Sequence, residues 1–204
     1  MTAEILITGF EPFGEHRRNP SAEMLGHCPA TVAGWPVRTA VLPVSYRSAP
    51  ERLRALLERR GWAAVVMLGL AGGATGWRIE TLARNRNRDT PDNEGLALAG
   101  EAVLPGAPGM LTTGLPAVRI CQALEARGVP ASLSDDAGGY LCNHMFFHLM
   151  AWLQAHSPGT PGGFIHVPPL PADTDESSIL AGHVKGLHGL LQALAGHLSG
   201  CGIP

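Results

Sequence analysis

Three side chains far apart in the chain, Glu80, Cys142 and His166, carry the chemistry that this sequence suggests. Cys142 follows Ser134-Asp135-Asp136-Ala137-Gly138-Gly139-Tyr140-Leu141, a small, polar stretch suited to a loop leaving a strand. After it, Met145, Phe146, Leu149, Trp152 and Leu153 fall at the spacing of one buried helix face. A thiol in the first turn of such a helix meets unpaired backbone N–H groups and the positive end of the helix dipole, and both favour negative charge on sulfur. A cysteine taken at random packs more often as a small hydrophobe. The two readings part on whether a base stands beside it.

A thiolate attacks a carbonyl, an imidazole moves the proton to the leaving amine, and a carboxylate fixes the imidazole's tautomer and stabilises its cation. His166 lies in Gly163-Phe164-Ile165-His166-Val167-Pro168, a short strand stopped by proline. Glu80 lies in Trp77-Arg78-Ile79-Glu80-Thr81-Leu82-Ala83-Arg84, whose alternation marks a half-buried strand with Glu80 on the side of Arg78. A carboxylate there ordinarily belongs to a solvated face. Strand ends in an open parallel sheet gather on one edge, where ligands bind. The backbone N–H of Cys142 is then a candidate oxyanion donor. His144 and His148, four apart on one helix, also have the spacing of two metal ligands, but no further ligand types cluster with them, so no metal site is expected.

The elements that must position these groups alternate between strand and helix. Glu4-Ile5-Leu6-Ile7-Thr8-Gly9 reads as a buried strand, followed by the loop Gly9-Phe10-Glu11-Pro12-Phe13-Gly14. Its two phenylalanines either plug the core or line an apolar pocket. Asn19-Pro20-Ser21 is a helix start, with Ala22 to His27 following. Val37 to Val44 is a second strand, and Tyr46 to Arg60 an amphipathic helix with Leu53, Leu56 and Leu57 on one side. Ala63-Ala64-Val65-Val66-Met67-Leu68-Gly69 is apolar throughout, as a central parallel strand covered on both faces requires. Gly69 to Gly76 is a Gly-rich loop without the Lys-Ser/Thr of a phosphate-binding loop.

Asn85 to Glu94 is a polar loop, and Arg84, Arg86 and Arg88 beside it suit a carboxylate or an oxyanion when they are not simply solvated. Leu96 to Thr113 reads as a β excursion, Ala117 to Arg127 as a helix with Val118, Cys121 and Leu124 on one face, and Ala131 to Ser134 as a strand. Ser177 to Leu198 is a long helix with Ile179, Leu180, Val184, Leu187, Leu190, Leu191 and Leu194 inward. With no repeat and no linker, residues 1–204 are expected to form one α/β domain.

The totals narrow the class. Hydrophobic residues make up 45% and charged residues 16% of 204, a globular balance. The net charge of −2, with no basic run, argues against nucleic acid or an anionic membrane as partner. The N-terminal stretch lacks a signal-peptide pattern, and no apolar run is long enough for a bilayer. Cys28, Cys121, Cys142 and Cys201 are widely spaced, as expected for a soluble protein with reduced thiols.

Four phrases go further. Ile7-Thr8-Gly9-Phe10-Glu11-Pro12-Phe13-Gly14 with Asn19-Pro20, then Pro91-Asp92-Asn93-Glu94-Gly95, Leu141-Cys142-Asn143-His144, and Phe164-Ile165-His166-Val167-Pro168 together resemble the pyroglutamyl peptidase I family, in order and spacing, over nearly the whole chain. The resemblance implies a three-layer α/β/α sandwich with a mostly parallel, mixed central sheet. It also implies a cytoplasmic, cofactor-free cysteine peptidase that removes an N-terminal pyroglutamate from peptides, commonly as a dimer or tetramer. Carried over by motif, Glu80, Cys142 and His166 are its catalytic triad. Phe10, Phe13, Asn19 and Tyr140 match residues that form or shape the pyroglutamyl pocket. Leu70 stands at that site where the family usually has Gln, and Asp89 stands where it usually has Arg. The pyroglutamyl ring is a flat, uncharged lactam that aromatic faces can sandwich, whereas a free amino terminus would bring an unpaired charge into that slot. Two other readings stay open on the sequence: a family member that binds blocked N-termini or lactams without turnover, motivated by Leu70 and Asp89, and a nucleoside phosphorylase-like enzyme, suggested by the Gly-rich loop.

Overall fold

A strand without a polar side chain needs protein on both faces. The computed structural model, which describes residues 3–59, 61–170 and 176–200 (176–179 by backbone alone), gives the segment around Val65 that position. In chain order the elements are β1 (Glu4–Phe10), α1 (Pro20–Glu23) continued by a 3-10 turn (Met24–His27), β2 (Thr31–Val32), β3 (Trp35–Leu42), α2 (Ser48–Leu57), β4 (Trp62–Leu70), β5 (Trp77–Glu80), β6 (Leu82–Arg84), β7 (Met110–Thr112), α3 (Ala117–Glu125), β8 (Ala131–Ser134), α4 (Leu141–His156), β9 (Gly162–Val167) and α5 (Glu176–Gly200). Seven strands form one sheet in the order β2-β3-β1-β4-β9-β5-β8. The pairs β1–β3, β1–β4, β4–β9 and β5–β8 are parallel, while β2–β3 and β5–β9 are antiparallel. The sheet is therefore mixed and mostly parallel.

Alternation along the strands sends side chains to two separate cores. Ile5, Ile7, Val66, Leu68, Ile165 and Val167 pack with Ile120 and Leu124 of α3 and with Leu187, Leu190, Leu191 and Leu194 of α5. Leu6, Val65, Met67 and Phe164 pack with Leu53 and Leu57 of α2 and with Leu141, Met145, Phe146 and Leu149 of α4. This makes three layers, with the helix that carries Cys142 on the α2 side.

Several elements differ from the sequence expectation, each for a local reason. The second helix starts at Ser48 rather than Tyr46: Arg47 is its N-cap, without a side-chain bond, and the turn before it is held by Ser45, whose Oγ accepts from the N–H groups of Arg47 and Ser48. Tyr46 is instead held by its N–H, which donates to the Asp92 carboxylate at 2.8 Å. The strand expected over Trp77 to Arg84 breaks at Thr81, whose N–H and Oγ1 both donate to the Ser134 carbonyl. Beyond that break β6 leaves the main sheet and pairs with β7. Of Leu96 to Thr113 only Met110–Thr112 is strand. The rest is loop, fastened in part by the Asn85 side chain, which bonds Leu104 N–H and the carbonyls of Leu104 and Ala107.

The third helix turns Ile120 and Leu124 inward and leaves Val118 57% exposed, so its buried stripe lies a step round from the one expected. Strand β2 was not expected at all. It forms a hairpin with β3 through Ala33 and Gly34, both at positive φ, without the Asn-Gly or Asp-Gly that usually marks such a turn. On α5, Leu180 and Val184 are only half-buried, and the side chain of Ile179 and all of Cys201 lie outside the described residues.

Candidate active site

The antiparallel pair β5–β9 aligns Arg78 with His166, Ile79 with Ile165 and Glu80 with Phe164. Ile79 and Ile165 belong to the core under α3 and α5. Their neighbours Glu80 and His166 therefore project to the other face, as diagonal partners two residues apart in register. The diagonal closes into a hydrogen bond, His166 Nδ1–H donating to Glu80 Oε1 at 2.8 Å. The carboxylate does not lie on a solvated face, the ordinary alternative for such a strand, but is fully buried, at 0% exposure. Glu80 Oε2 finds no donor among the described residues, so this acid spends its acceptor strength on one imidazole.

Cys142 is the second residue of α4 and faces the same pair. On the other side of β9, Gly69 of β4 aligns with His166. A Cβ at Gly69 would lie 3.1 Å from Cys142 Sγ and 2.5 Å from Phe164 Cζ, so the missing side chain is the room in which the sulfur sits. With Nδ1 committed to Glu80, Nε2 is the ring nitrogen left for the thiol, and Cys142 acts on the imidazole through charge and hydrogen bonding. Burial by itself pulls the His166 pKa down, but the charge and hydrogen bond of Cys142, then those of Glu80, outweigh it and raise the pKa to about 9. The imidazole thus keeps its proton at neutral pH, held between Glu80 and Cys142. The first backbone bond of α4 runs from His144 N–H to Tyr140 O at 3.1 Å. The N–H groups of Leu141, Cys142 and Asn143 precede that ladder, beside the sulfur.

The sequence-derived binding residues fall into two groups. Phe13 and Tyr140 come together, with ring centroids 5.8 Å apart and planes at 45°. Burial, then the negative charges of Asp92 and Cys142, push the Tyr140 phenol up to about 12, so it remains a donor near the thiol. Phe10, only 3% exposed, stacks beneath the site on Phe164, whose ring centroid is 4.9 Å from that of His166. Asn19 is buried and acts on the loop's backbone. Its Oδ1 accepts from Ser21 N–H and Oγ, its Nδ2 donates to Glu11 O, and Ser21 Oγ in turn accepts from Phe10 N–H. Leu70 is 4% exposed at the end of β4, one residue past Gly69 and in register with Val167.

Three residues were not singled out for these roles. Tyr46 meets Tyr140 edge-on at 5.9 Å, and burial followed by the charges of Tyr140, Asp92 and Cys142 raises its phenol pKa. Asn143, fully buried, accepts from Arg84 N–H at 2.8 Å and donates to the carbonyls of Arg84 and Arg86. His144 Nδ1–H donates to Asn87 Oδ1 at 2.9 Å. Asn143 and His144 thus tie the arginine-rich loop to the first turn of α4. The Asn-His that follows Cys142 was the available signal. His144 and His148 lie ring to ring at 4.7 Å, with the His144 Nδ1 engaged by Asn87. Among the described residues no group of three His, Cys, Asp or Glu is placed to hold a metal, and Cys28, Cys121 and Cys142 are unbonded.

That histidine pair gives the fold an acid limit. Burial first, and for His144 also the neighbouring His148, lowers the two pKa values to about 3 and about 4. Unfolded histidines protonate near 6.5. The folded state therefore holds its full advantage from these groups above that pH and loses it as pH falls through the window toward 4 and then 3. Urea unfolding midpoints are expected to drop between pH 7 and pH 4.5, and His148→Gln is expected to flatten that slope by up to about one proton's worth, ~1 kcal/mol per pH unit. An unchanged slope in the variant would remove His148 from the acid limit.

Comparison with known proteins places this geometry among relatives. The family model described as pyroglutamyl peptidase matches residues 3–185. A pyrrolidone-carboxylate peptidase of Gloeobacter violaceus is 38% identical over 197 residues, 93% of this chain and 96% of the relative. Among solved structures, pyrrolidone carboxyl peptidase from Thermococcus litoralis superposes with a TM-score of 0.90 at 29% identity, covering 98% of this chain and 96% of that one. Pyroglutamyl peptidase I from Bacillus amyloliquefaciens does so at 0.89 and 32%, with 97% of each chain covered. Neither a nucleoside phosphorylase-like enzyme nor a non-hydrolytic binding protein gains support from these comparisons.

Proposed function

Because this chain belongs to the pyroglutamyl peptidase family, we propose that it is a cysteine peptidase that removes an N-terminal pyroglutamyl residue from peptides. The observation that carries the reading is the buried His166–Glu80 hydrogen bond of 2.8 Å, with Cys142 acting on the same imidazole and the Phe13–Tyr140 slot at the start of its helix. The pyroglutamyl ring lies against the two aromatic rings. The Cys142 thiolate attacks its exocyclic carbonyl, and the oxyanion that forms meets backbone N–H groups at the start of α4. As the C–N bond breaks, the His166 imidazolium gives its proton to the departing amine, leaving a pyroglutamyl thioester on Cys142. His166, now neutral, takes a proton from water. The resulting hydroxide equivalent attacks the thioester, free pyroglutamate leaves, and the thiolate–imidazolium pair returns. Glu80 holds the ring and its charge throughout.

Residues 1–204 act in this reading as one catalytic domain without a cofactor, in the cytoplasm, where the unbonded thiols stay reduced. Among the described residues no helix is long and apolar enough to cross a membrane. We extend the proposal to a homo-oligomer, dimer or tetramer, for which the exposed apolar side chains of Val118 and Leu133 offer contact surface.

The test is a pair of anilides. Pyroglutamyl-anilide is expected to be hydrolysed and prolyl-anilide, which carries a charged amine where the lactam is neutral, at least about a hundredfold less well. Equal rates on the two would contradict selection for a blocked N-terminus.

A further inference from the structure

Beside the catalytic helix lies a cleft of about 620 Å³ whose walls include Arg84, Arg86, Arg88, Asp89, Asp136 and Gly139. Three guanidinium groups within five residues are out of keeping with a chain of net charge −2. Their own partners leave them under-used. Arg84 donates to the Asp135 carbonyl, Arg88 approaches Asp136 only to 3.9 Å with both side chains more than half exposed, and Arg86 makes no ion pair among the described residues. Asp89 and Asp136, also on the wall, offset two of the three, so the wall keeps one positive charge in excess and Arg86 is left without a paired acid.

The cleft is built onto the active site rather than hung beside it. Asn143, next to Cys142, bonds the backbone of Arg84 and Arg86, and His144 holds Asn87 between Arg86 and Arg88. Arg88 N–H donates to Gly139 O at 2.7 Å, and a Cβ at Gly139 would lie 2.2 Å from Arg88 Cγ, so the stem of that arginine crosses the glycine directly. Gly139 is three residues before Cys142, which bounds the two Cα atoms to at most about 11 Å apart. The Phe13–Tyr140 slot and the arginine wall flank the same short segment.

Resting on the peptidase reading above, we propose that this cleft is the subsite for the departing part of the substrate and that it selects a carboxylate within the first two residues after the pyroglutamyl group. An extended residue spans about 3.5 Å, so an acidic side chain at the first or second position, or the terminal carboxylate of a very short peptide, reaches from the sulfur to the arginines. Arg forks pair carboxylates in two-point geometry, which a peptide without a carboxylate cannot exploit.

The experiment measures kcat/KM on pyroglutamyl-alanine, pyroglutamyl-alanine amide, pyroglutamyl-glutamate amide and pyroglutamyl-lysine amide, with pyroglutamyl-anilide as the neutral control. The wild type is expected to favour the carboxylate-bearing substrates by about fivefold to tenfold, through KM rather than kcat and less so at high salt. Preference for the free acid of the alanine dipeptide alone identifies the terminal carboxylate as the ligand. Preference for the glutamate amide identifies the side chain. Arg86→Gln is expected to erase the preference and Arg86→Glu to reverse it toward lysine, while both keep the anilide rate. Normal anilide turnover with equal kcat/KM across the peptides would overturn the subsite and leave the peptidase reading standing. If the anilide is not hydrolysed at all, that reading fails first, and calorimetry of the same peptides on Cys142→Ala decides the subsite: tighter binding of the carboxylate forms supports it and equal affinity overturns it.

Discussion

Cys142→Ala is expected to lower kcat on pyroglutamyl-anilide by at least about ten-thousandfold while the protein stays folded. The thiolate is the only bond-forming group in the proposed cycle, and removing a nucleophile that acts with its base abolishes nearly all of their joint contribution. The stability cost is small by comparison. Cys142 is half-buried, and the sulfur fills the space that Gly69 leaves open above β4 and β9. A thermal midpoint within a few degrees of wild type, beside a rate at background, is the expected combination. Cys142→Ser tests the sulfur itself: the hydroxyl occupies the same place but, with a far higher pKa, gives no anion, and His166 loses the first of the charges that raise its pKa. Retention of more than a few per cent of activity in either variant would remove Cys142 from the nucleophile's role.

The second large effect belongs to an acid that no substrate touches. Glu80→Gln keeps the shape of the side chain but exchanges a carboxylate for an amide against His166 Nδ1, in a site with 0% exposure. An amide can present either its oxygen or its NH2 to the ring, so the imidazole loses both its fixed tautomer and the anion that stabilises its cation. A loss of about a thousandfold to ten-thousandfold in kcat is expected, with KM nearly unchanged.

The pH profile separates this from mere loosening. Glu80 is among the groups that hold the His166 pKa up at about 9, so its removal lowers that value, and the alkaline limb of kcat moves to lower pH. For stability the sign is the same. A histidine whose folded pKa exceeds its unfolded one stabilises fully below about 6.5 and loses that contribution as pH rises through 9, so the variant forfeits it from a lower pH. An alkaline limb unmoved in Glu80→Gln would assign Glu80 to packing alone.

How far the chain betrayed this site in advance depends on how local each signal is. The helix behind Cys142, the strand under His166 and the central strand at Val65 were legible because each rests on the periodicity of a few adjacent residues. The face of Glu80 was legible for the same reason, since alternation set it opposite Ile79. Its burial was not, because nothing near Glu80 announces it.

Phe164 read as an ordinary strand residue and Gly69 as the head of a Gly-rich loop; in the structure Gly69 is still in β4, and the pairing of β4 with β9 sets the two side by side under the sulfur. Tyr46 looked like the first turn of a helix. The Asp92 carboxylate, 46 positions away, and the Thr90 carbonyl hold its N–H and hydroxyl, and its ring meets Tyr140. The Asn143 and His144 ties to the arginine loop span 57 to 59 positions and use single hydrogen bonds that leave no periodic trace. Glu80 was put forward on its type and place on a short strand, and again by the family pattern; the structure sets it 2.8 Å from His166 Nδ1.

The most direct measurement is to quench the enzyme with acid during its first turnover of pyroglutamyl-anilide and weigh the peptide that contains Cys142. A pyroglutamyl thioester on Cys142, absent from the peptides of Cys28 and Cys121 and absent in Cys142→Ser, is the expected result. Rapid hydrolysis with no acyl group on Cys142 at any quench time, or an acyl group on another cysteine, would contradict it.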